Sequence, residues 1–274
     1  MSVNACAELV RKGDPDRFLA AMAARPPERA LLFPLYAFNL EIARAPWIAS
    51  EPMLAEIRLQ WWRDALSEIY TGQVPRRHEV VEPLAAVIGA TDLPRPLLDA
   101  LIDARAFDAY GDPHPGRAAF DAYVTATGGN LMRLAALALG ADANAAAIAG
   151  QAGAVHATGM LFEALPALYA ANWDPVPVLG PIDRNAIAES RVPPPLAEAL
   201  RSIASDALDR LAGLRTRRME IPPEIRPALL PLWRAEAALK RAATAPDTML
   251  APVPPLSEFA RRWGFLSRSV TGRW

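Results

Sequence analysis

The sequence predicts an all-α protein, and three observations carry that prediction. Alanine and leucine dominate the chain while β-branched residues form few runs, so local preference favours helix over strand. Apolar residues recur at three- and four-residue spacing, as in Leu54, Ile57, Trp61, Leu66 and Ile69. No stretch alternates apolar and polar side chains as a half-buried strand would. The 27 prolines outnumber the 15 glycines. A proline inside a helix removes a hydrogen bond and clashes with the preceding turn, so the prolines should separate helices or open them.

Read with that rule, Asp14-Pro15-Asp16 caps a helix that runs to Ala24. Pro26-Pro27 separates it from a second helix over Glu28–Ala45, with a kink expected at Pro34. A third spans Pro52–Tyr70 and stops at Gly72 and Pro75; a fourth is His78–Gly89. Pro94–Ala109 places Leu97, Leu98, Leu101 and Ile102 on one face, and Gly111–Gly116 is a turn. Ala118–Leu139 is expected to bend at Gly128-Gly129, and Asn144–Tyr169 follows. Asn172–Pro195 is proline-rich without a period and reads as a loop with short pieces. Helices resume at Leu196–Thr216, Pro227–Ala243 and Leu256–Trp263. No repeat and no long linker divides the chain, so residues 1–274 are expected to form one domain.

Composition narrows the function classes. With 52% apolar residues the chain is globular, and a net charge of -1 argues against a nucleic-acid binder relying on a broad basic surface. One cysteine, Cys6, excludes an internal disulfide framework and a cysteine-rich metal site. The first residues, through Arg17, lack the apolar core of a secretory signal. No apolar run reaches the ~18 residues of a membrane span; the longest candidate, Leu131–Gly150, is broken by Arg133, Asp142 and Asn144. A cytoplasmic location follows as an expectation, with membrane contact, at the inner membrane, peripheral at most.

Several segments, taken in order, resemble the squalene/phytoene synthase family: Glu28-Arg29-Ala30 through Leu35-Tyr36-Ala37-Phe38; Arg58-Leu59-Gln60-Trp61-Trp62-Arg63-Asp64-Ala65-Leu66 with Tyr70 and Gly72; Leu101–Arg105, Tyr123, Gly128 and Gly140; and Ala228–Pro231. The resemblance implies an isoprenoid-synthase-like helical bundle around a central cavity that takes prenyl diphosphates. In the family, two aspartate motifs on facing helices hold magnesium against the diphosphates, which leave only when their charge is neutralised.

Those aspartates are missing here. Counted from Tyr36-Ala37-Phe38, the first motif falls on Ala43 and Trp47, with Arg44 alongside and Glu41 the one nearby acid. The second falls on Pro166 and Ala170, with Glu163 the sole acid before Asp174. A subgroup containing a mitochondrial assembly factor for respiratory complex I resembles the chain more closely. It carries the pattern matched by Asn39-Leu40-Glu41 and the one matched by Arg58, Gln60, Trp61 and Trp62, and it too lacks the aspartate pairs.

The resemblance therefore implies a non-catalytic assembly or scaffold factor with no catalytic residue, no metal site and no cofactor. Its partner would be a respiratory-complex subunit, with a prenyl lipid or diphosphate as a further ligand. The alternatives are an active head-to-head prenyltransferase, for which magnesium would be needed, and a prenyl-lipid carrier. Candidate cavity or ligand residues are Arg29, Tyr36, Asn39, Glu41, Arg58, Gln60, Trp62, Arg133, His156 and Glu163. Each has a plainer reading. The arginines hold a diphosphate without metal or serve as surface ion pairs; Glu41 is a residual ligand or a helix-surface charge. His156 contacts a ligand or is a satisfied core histidine, and Trp62 with Arg63 lines the cavity mouth or packs. Gly128-Gly129 lets helices approach closely or admits a ligand. The C-terminal segment Glu258–Arg268 mixes basic and aromatic residues, suiting a membrane surface, a partner or a solvated helix.

Overall fold

The structure, a computed structural model, describes residues 3–49, 51–252, 254 and 256–274. Among these, the ordered elements are all helical. The α-helices are α1 (Val3–Gly13), α2 (Pro15–Met22), α3 (Pro26–Ile48), α4 (Pro52–Tyr70), α5 (Val81–Thr91), α6 (Arg95–Tyr110), α7 (Arg117–Val124), α8 (Asn130–Ala138), α9 (Ala143–Glu163), α10 (Leu165–Ala170), α11 (Arg184–Ala188), α12 (Pro194–Thr216), α13 (Arg226–Leu229), α14 (Trp233–Thr244) and α15 (Glu258–Thr271). No described helix is long and apolar enough to cross a membrane.

Two helices organise the rest. Helix α9 is apolar or small on nearly every side (AAAIAGQAGAVHATG), as suits a helix exposed along only one narrow line, at Ala143, Asn144, Ala147 and Gln151, and at its last residue, Glu163. It packs against α8, α12 and α14. Helix α3 buries an unbroken run from Leu32 to Asn39 and packs against α1, α4, α5 and α6, with α8 wedged between it and α9. Pro34 lies inside α3, and the helix continues through it. The apolar packing around Pro34 supplies what the missing N–H does not.

The bend expected at Gly128-Gly129 is a single π-helical turn, Thr125–Gly129, joining α7 to α8. Here the chain crosses α9 backbone to backbone. A Cβ on Gly128 would lie 2.5 Å from the Gly153 carbonyl oxygen, and one on Gly153 would lie 2.2 Å from that of Gly128. Close packing is thus the role of Gly128, as it is for Gly159, whose Cβ would meet Ala235 at 2.5 Å.

Tertiary contacts and caps set the ends of several elements. The polar N-terminus forms α1, because Cys6 and Val10 share one face and bury it against α3. Cys6 is fully buried, its thiol donates to the Glu79 carbonyl at 3.4 Å, and burial raises its pKa to about 11, so it is an unreactive packing residue. The loop Asn172–Pro195 contains α11, capped by the Asp183 carboxylate, and α12 begins within its last prolines at Pro194. The last helix starts at Glu258, capped by Ser257, and runs past Trp263 to Thr271. Gly264 does not stop it; that glycine is needed because a Cβ would lie 2.6 Å from the Trp233 ring.

Candidate functional site

A cavity of about 400 Å³ lies among α2, α3, α6, the π-turn and α9, with Trp173 closing one side. Its mouth carries Trp47, half-exposed at the end of α3, which meets Trp173 edge-on at 5.6 Å between ring centroids. Trp47 thus occupies a position where the sequence count put an aspartate. Neither ring can ligate a metal, and together they make that side of the opening apolar.

Three carboxylates reach the cavity, Asp14, Asp16 and Asp108, and each is committed to arginine. Asp14 caps α2 through the Arg17 backbone N–H at 2.9 Å and pairs with the Arg17 guanidinium at 2.5 Å. Burial works to raise the Asp14 pKa, but the Arg17 charge and its two hydrogen bonds outweigh it and lower it. Asp16 faces Arg234 at 3.1 Å and Arg261 at 3.2 Å. Burial, helped by the negative charge of Asp14, nonetheless holds its pKa above the usual value. Asp108 accepts from Arg105 at 2.9 Å and from the Tyr123 hydroxyl at 3.1 Å, while Arg105 also donates to that hydroxyl at 3.0 Å. Burial dominates there too and raises the Asp108 pKa.

His156 lies in the cavity wall on α9, and burial plus the charge of Arg17 drives its pKa down to about 3, so the ring is neutral. Unpartnered buried polar atoms gather around this space. They include Asn39 Oδ1, Arg105 Nε, Asp108 Oδ1, His156 Nδ1 and Trp173 Nε1. Buried polar groups are ordinarily paired, and such a concentration suits a polar ligand or bound water.

The candidate residues read from sequence divide between this cavity and other places. Asn39 and His156 line the cavity. Tyr36 is fully buried beneath it, with the Arg17 guanidinium 5.9 Å from its ring. Glu163 faces solvent at the end of α9 and binds Arg234 at 2.8 Å. Glu41, Arg58 and Trp62 line a different concavity of about 340 Å³ between α3 and α4, with Trp61, His78, Ile48 and Ile57. Gln60 is exposed and donates to Asp64 at 2.7 Å. Arg29 donates to the Ala24 carbonyl at 2.9 Å. Arg133 is exposed on α8 beside Gly150. Trp62 and Arg63 do not form the cavity mouth: Trp62 packs on Phe38, and Arg63 pairs with Asp103 at 2.9 Å. The residues the sequence left unassigned are Arg17, Arg105, Asp108 and Trp173. The local signals were two pairs at the i,i+3 spacing of a helical ion pair, Asp14 with Arg17 and Arg105 with Asp108.

Comparison with known proteins fits this geometry. The family model for squalene/phytoene synthase matches residues 10–159, more than half of the chain. The chain belongs to the squalene/phytoene synthase family. In solved structures its fold recurs in squalene synthase HpnC from Alicyclobacillus acidocaldarius, with a TM-score of 0.75 at 16% identity, covering 87% of this chain and 91% of that one. It recurs in a dehydrosqualene synthase with a TM-score of 0.78 at 13% identity, covering 98% and 95%. Both likenesses establish the isoprenoid-synthase helical fold.

Among relatives in sequence is the human protein named NADH dehydrogenase (ubiquinone) complex I, assembly factor 6, 32% identical over 82 residues. That match spans 30% of this chain and about a quarter (25%) of the human protein. The Drosophila melanogaster homologue of that factor matches at 24% identity over 253 residues, 86% of this chain and 74% of its own length.

Magnesium, which squalene/phytoene synthase chemistry implies, does not fit the residues present. Among the described residues no three His, Cys, Asp or Glu side chains are placed to hold a metal ion. The cavity's acids already face cations of the protein itself. A divalent ion entering there would meet Arg17 and Arg105 at close range.

Proposed function

We infer that this family member works without turnover, as an assembly factor for a respiratory NADH:quinone oxidoreductase that keeps the ancestral cavity as a binding pocket. The observation that carries the reading is that each carboxylate in the cavity wall is engaged by an arginine. Departure of a diphosphate needs concentrated positive charge at its oxygens, supplied by metal that free carboxylates hold. Here the acids neutralise arginines instead. The names of the human and Drosophila relatives support the assignment to complex I maturation. The unpartnered polar atoms around Arg105, Asp108 and His156 support a retained ligand with a polar head.

The test has two arms. Purified protein incubated with farnesyl or geranylgeranyl diphosphate and magnesium is expected to release no pyrophosphate above the buffer rate. Robust release would overturn the non-catalytic reading and establish the prenyltransferase alternative. Deletion of the gene is expected to lower assembled NADH:quinone oxidoreductase on native gels, and the protein is expected to co-purify with subunits of that enzyme. Unchanged assembly without co-purification would sink the assembly role. A prenyl-lipid adduct in native mass spectrometry, without an assembly defect, would favour the carrier alternative.

A further inference from the structure

Helix α15 carries an apolar stripe that faces away from the protein. Phe259, Trp263, Leu266 and Val270 are spaced 4, 3 and 4 residues apart and are 78%, 61%, 55% and 78% exposed. At about 100° per residue these four lie within about 60° of one another. The residues that α15 buries, Gly264 and Phe265, sit on the opposite side of the helix. The stripe is therefore not the edge of the core. Phe259 and Trp263 stack on each other, ring planes 8° apart, instead of on the body of the protein.

Beside the stripe lies a strongly basic basin. Ser267 and Thr271, one step round the helix, open onto a depression of about 490 Å³ lined by Arg215, Arg218, Arg268 and Arg273. It adjoins a second hollow that adds Arg226 and the exposed Met219. Of these five arginines, only Arg215 has an acidic partner among the described residues, Glu236 at 2.6 Å. Arg268 lies over the Trp233 ring at 4.5 Å and donates only to the Gly264 carbonyl, at 3.2 Å. On the other flank of the stripe Arg262, 73% exposed, is paired with the equally open Glu258 at 3.5 Å and adds no unbalanced charge to the basin. In a chain of net charge -1, this arrangement leaves Arg218, Arg226, Arg268 and Arg273 together without an ion-pair partner among the described residues.

We propose that α15 docks on an anionic phospholipid surface, its apolar stripe entering the interface and the arginine basin taking lipid phosphates. Charge complementarity selects this occupant. An outward stripe of Phe, Trp, Leu and Val flanked by arginines is how a helix lying in a membrane plane divides its surface. Arginine clusters bind phosphate oxygens in bidentate fashion. A protein partner covering the stripe would need to bring carboxylates to four unpaired arginines, whereas an anionic bilayer supplies phosphates at every position.

The proposal is independent of the assembly role and is tested on the full chain by vesicle flotation. Vesicles of phosphatidylcholine doped with phosphatidylglycerol are expected to carry the protein, pure phosphatidylcholine vesicles are not, and added salt is expected to release it. The exposed pair Phe259→Ser/Trp263→Ser and the exposed pair Arg218→Glu/Arg273→Glu should each lower partitioning by about tenfold or more. Unchanged circular dichroism and urea midpoints would show that both variants fold. Absence of binding to either vesicle type, or equal binding to both, overturns the proposal. So does saturation of the basin by free glycerol phosphate while the vesicles stay bare, or a stripe-dependent protein complex without vesicle binding.

Discussion

The central cavity and the groove between α3 and α4 are built on different faces of the same helix, and they differ in kind. Asn39 points into the cavity; Glu41, two residues on and about 200° round the helix, lines the groove. The cavity is walled by buried ionic groups, several with an atom left unpaired. The groove is aromatic, with Trp61, Trp62 and His78 in mutual contact and the Arg76 guanidinium 5.3 Å from the Trp61 ring. Its lip, Ile48 and Ile57, is open to water. A motif such as Asn39-Leu40-Glu41 therefore does not mark one site. It spans two, and its likeness to the assembly-factor subgroup reports on both.

The contrast in energetics can be broken by substitution. The largest loss is expected from Arg234→Ala. Arg234 is buried and ties Asp16 of α2 to Glu163 of α9, so its removal leaves Asp16 with Arg261 alone, at a cost of about 3 kcal/mol in urea unfolding. Gly153→Ala comes next, because its Cβ meets backbone that cannot swing aside; a loss of about 2–3 kcal/mol is expected in the same assay.

The third prediction concerns pH. Burial holds His156 near a pKa of about 3 and His114 near about 4, against 6.5 for both when unfolded. Their folded pKa values are depressed, so the unfolded chain binds the protons first. The stability is complete above pH 6.5 and is lost on acidification toward the folded values. Each histidine should contribute a slope of up to about 1.4 kcal/mol per pH unit between pH 6 and 5. His156→Gln should remove about half of that slope in urea titrations. The smallest effect is expected in the groove: Ile57→Ser, at an exposed position, should change stability by less than about 0.5 kcal/mol. A loss above about 1 kcal/mol there would mean the groove is part of the core and would erase the contrast.

The helices were legible in the sequence wherever an apolar face repeats over several turns, as in α4 and α6. Helix α1 was not, because Glu8, Arg11 and Lys12 cover most of its surface while burial rests on Cys6 and Val10. The last helix was read only as far as Trp263, because the need for Gly264 inside it, a tryptophan ring from a distant segment, is a tertiary fact. The same limit governs the cavity. Asn39 and His156 were legible because each lies on a helix matched to the family's core. Arg17, Asp108 and Trp173 come together from α2, α6 and the segment after α10, and no local pattern announces that meeting. Asp14 was legible only as a helix cap. It is one, and its second oxygen belongs to the cavity's ion pairs.

Asp16 belongs to two neighbourhoods at once. It forms part of the inner wall, and it is also where Arg261 anchors the final helix. Shortening the protein ahead of that helix would take one cation from the pocket's boundary and leave Arg234 to balance the carboxylate alone. The far end of the polypeptide thus helps set the charge of the chamber at its centre, and truncated versions of this protein would present any ligand with a more acidic interior.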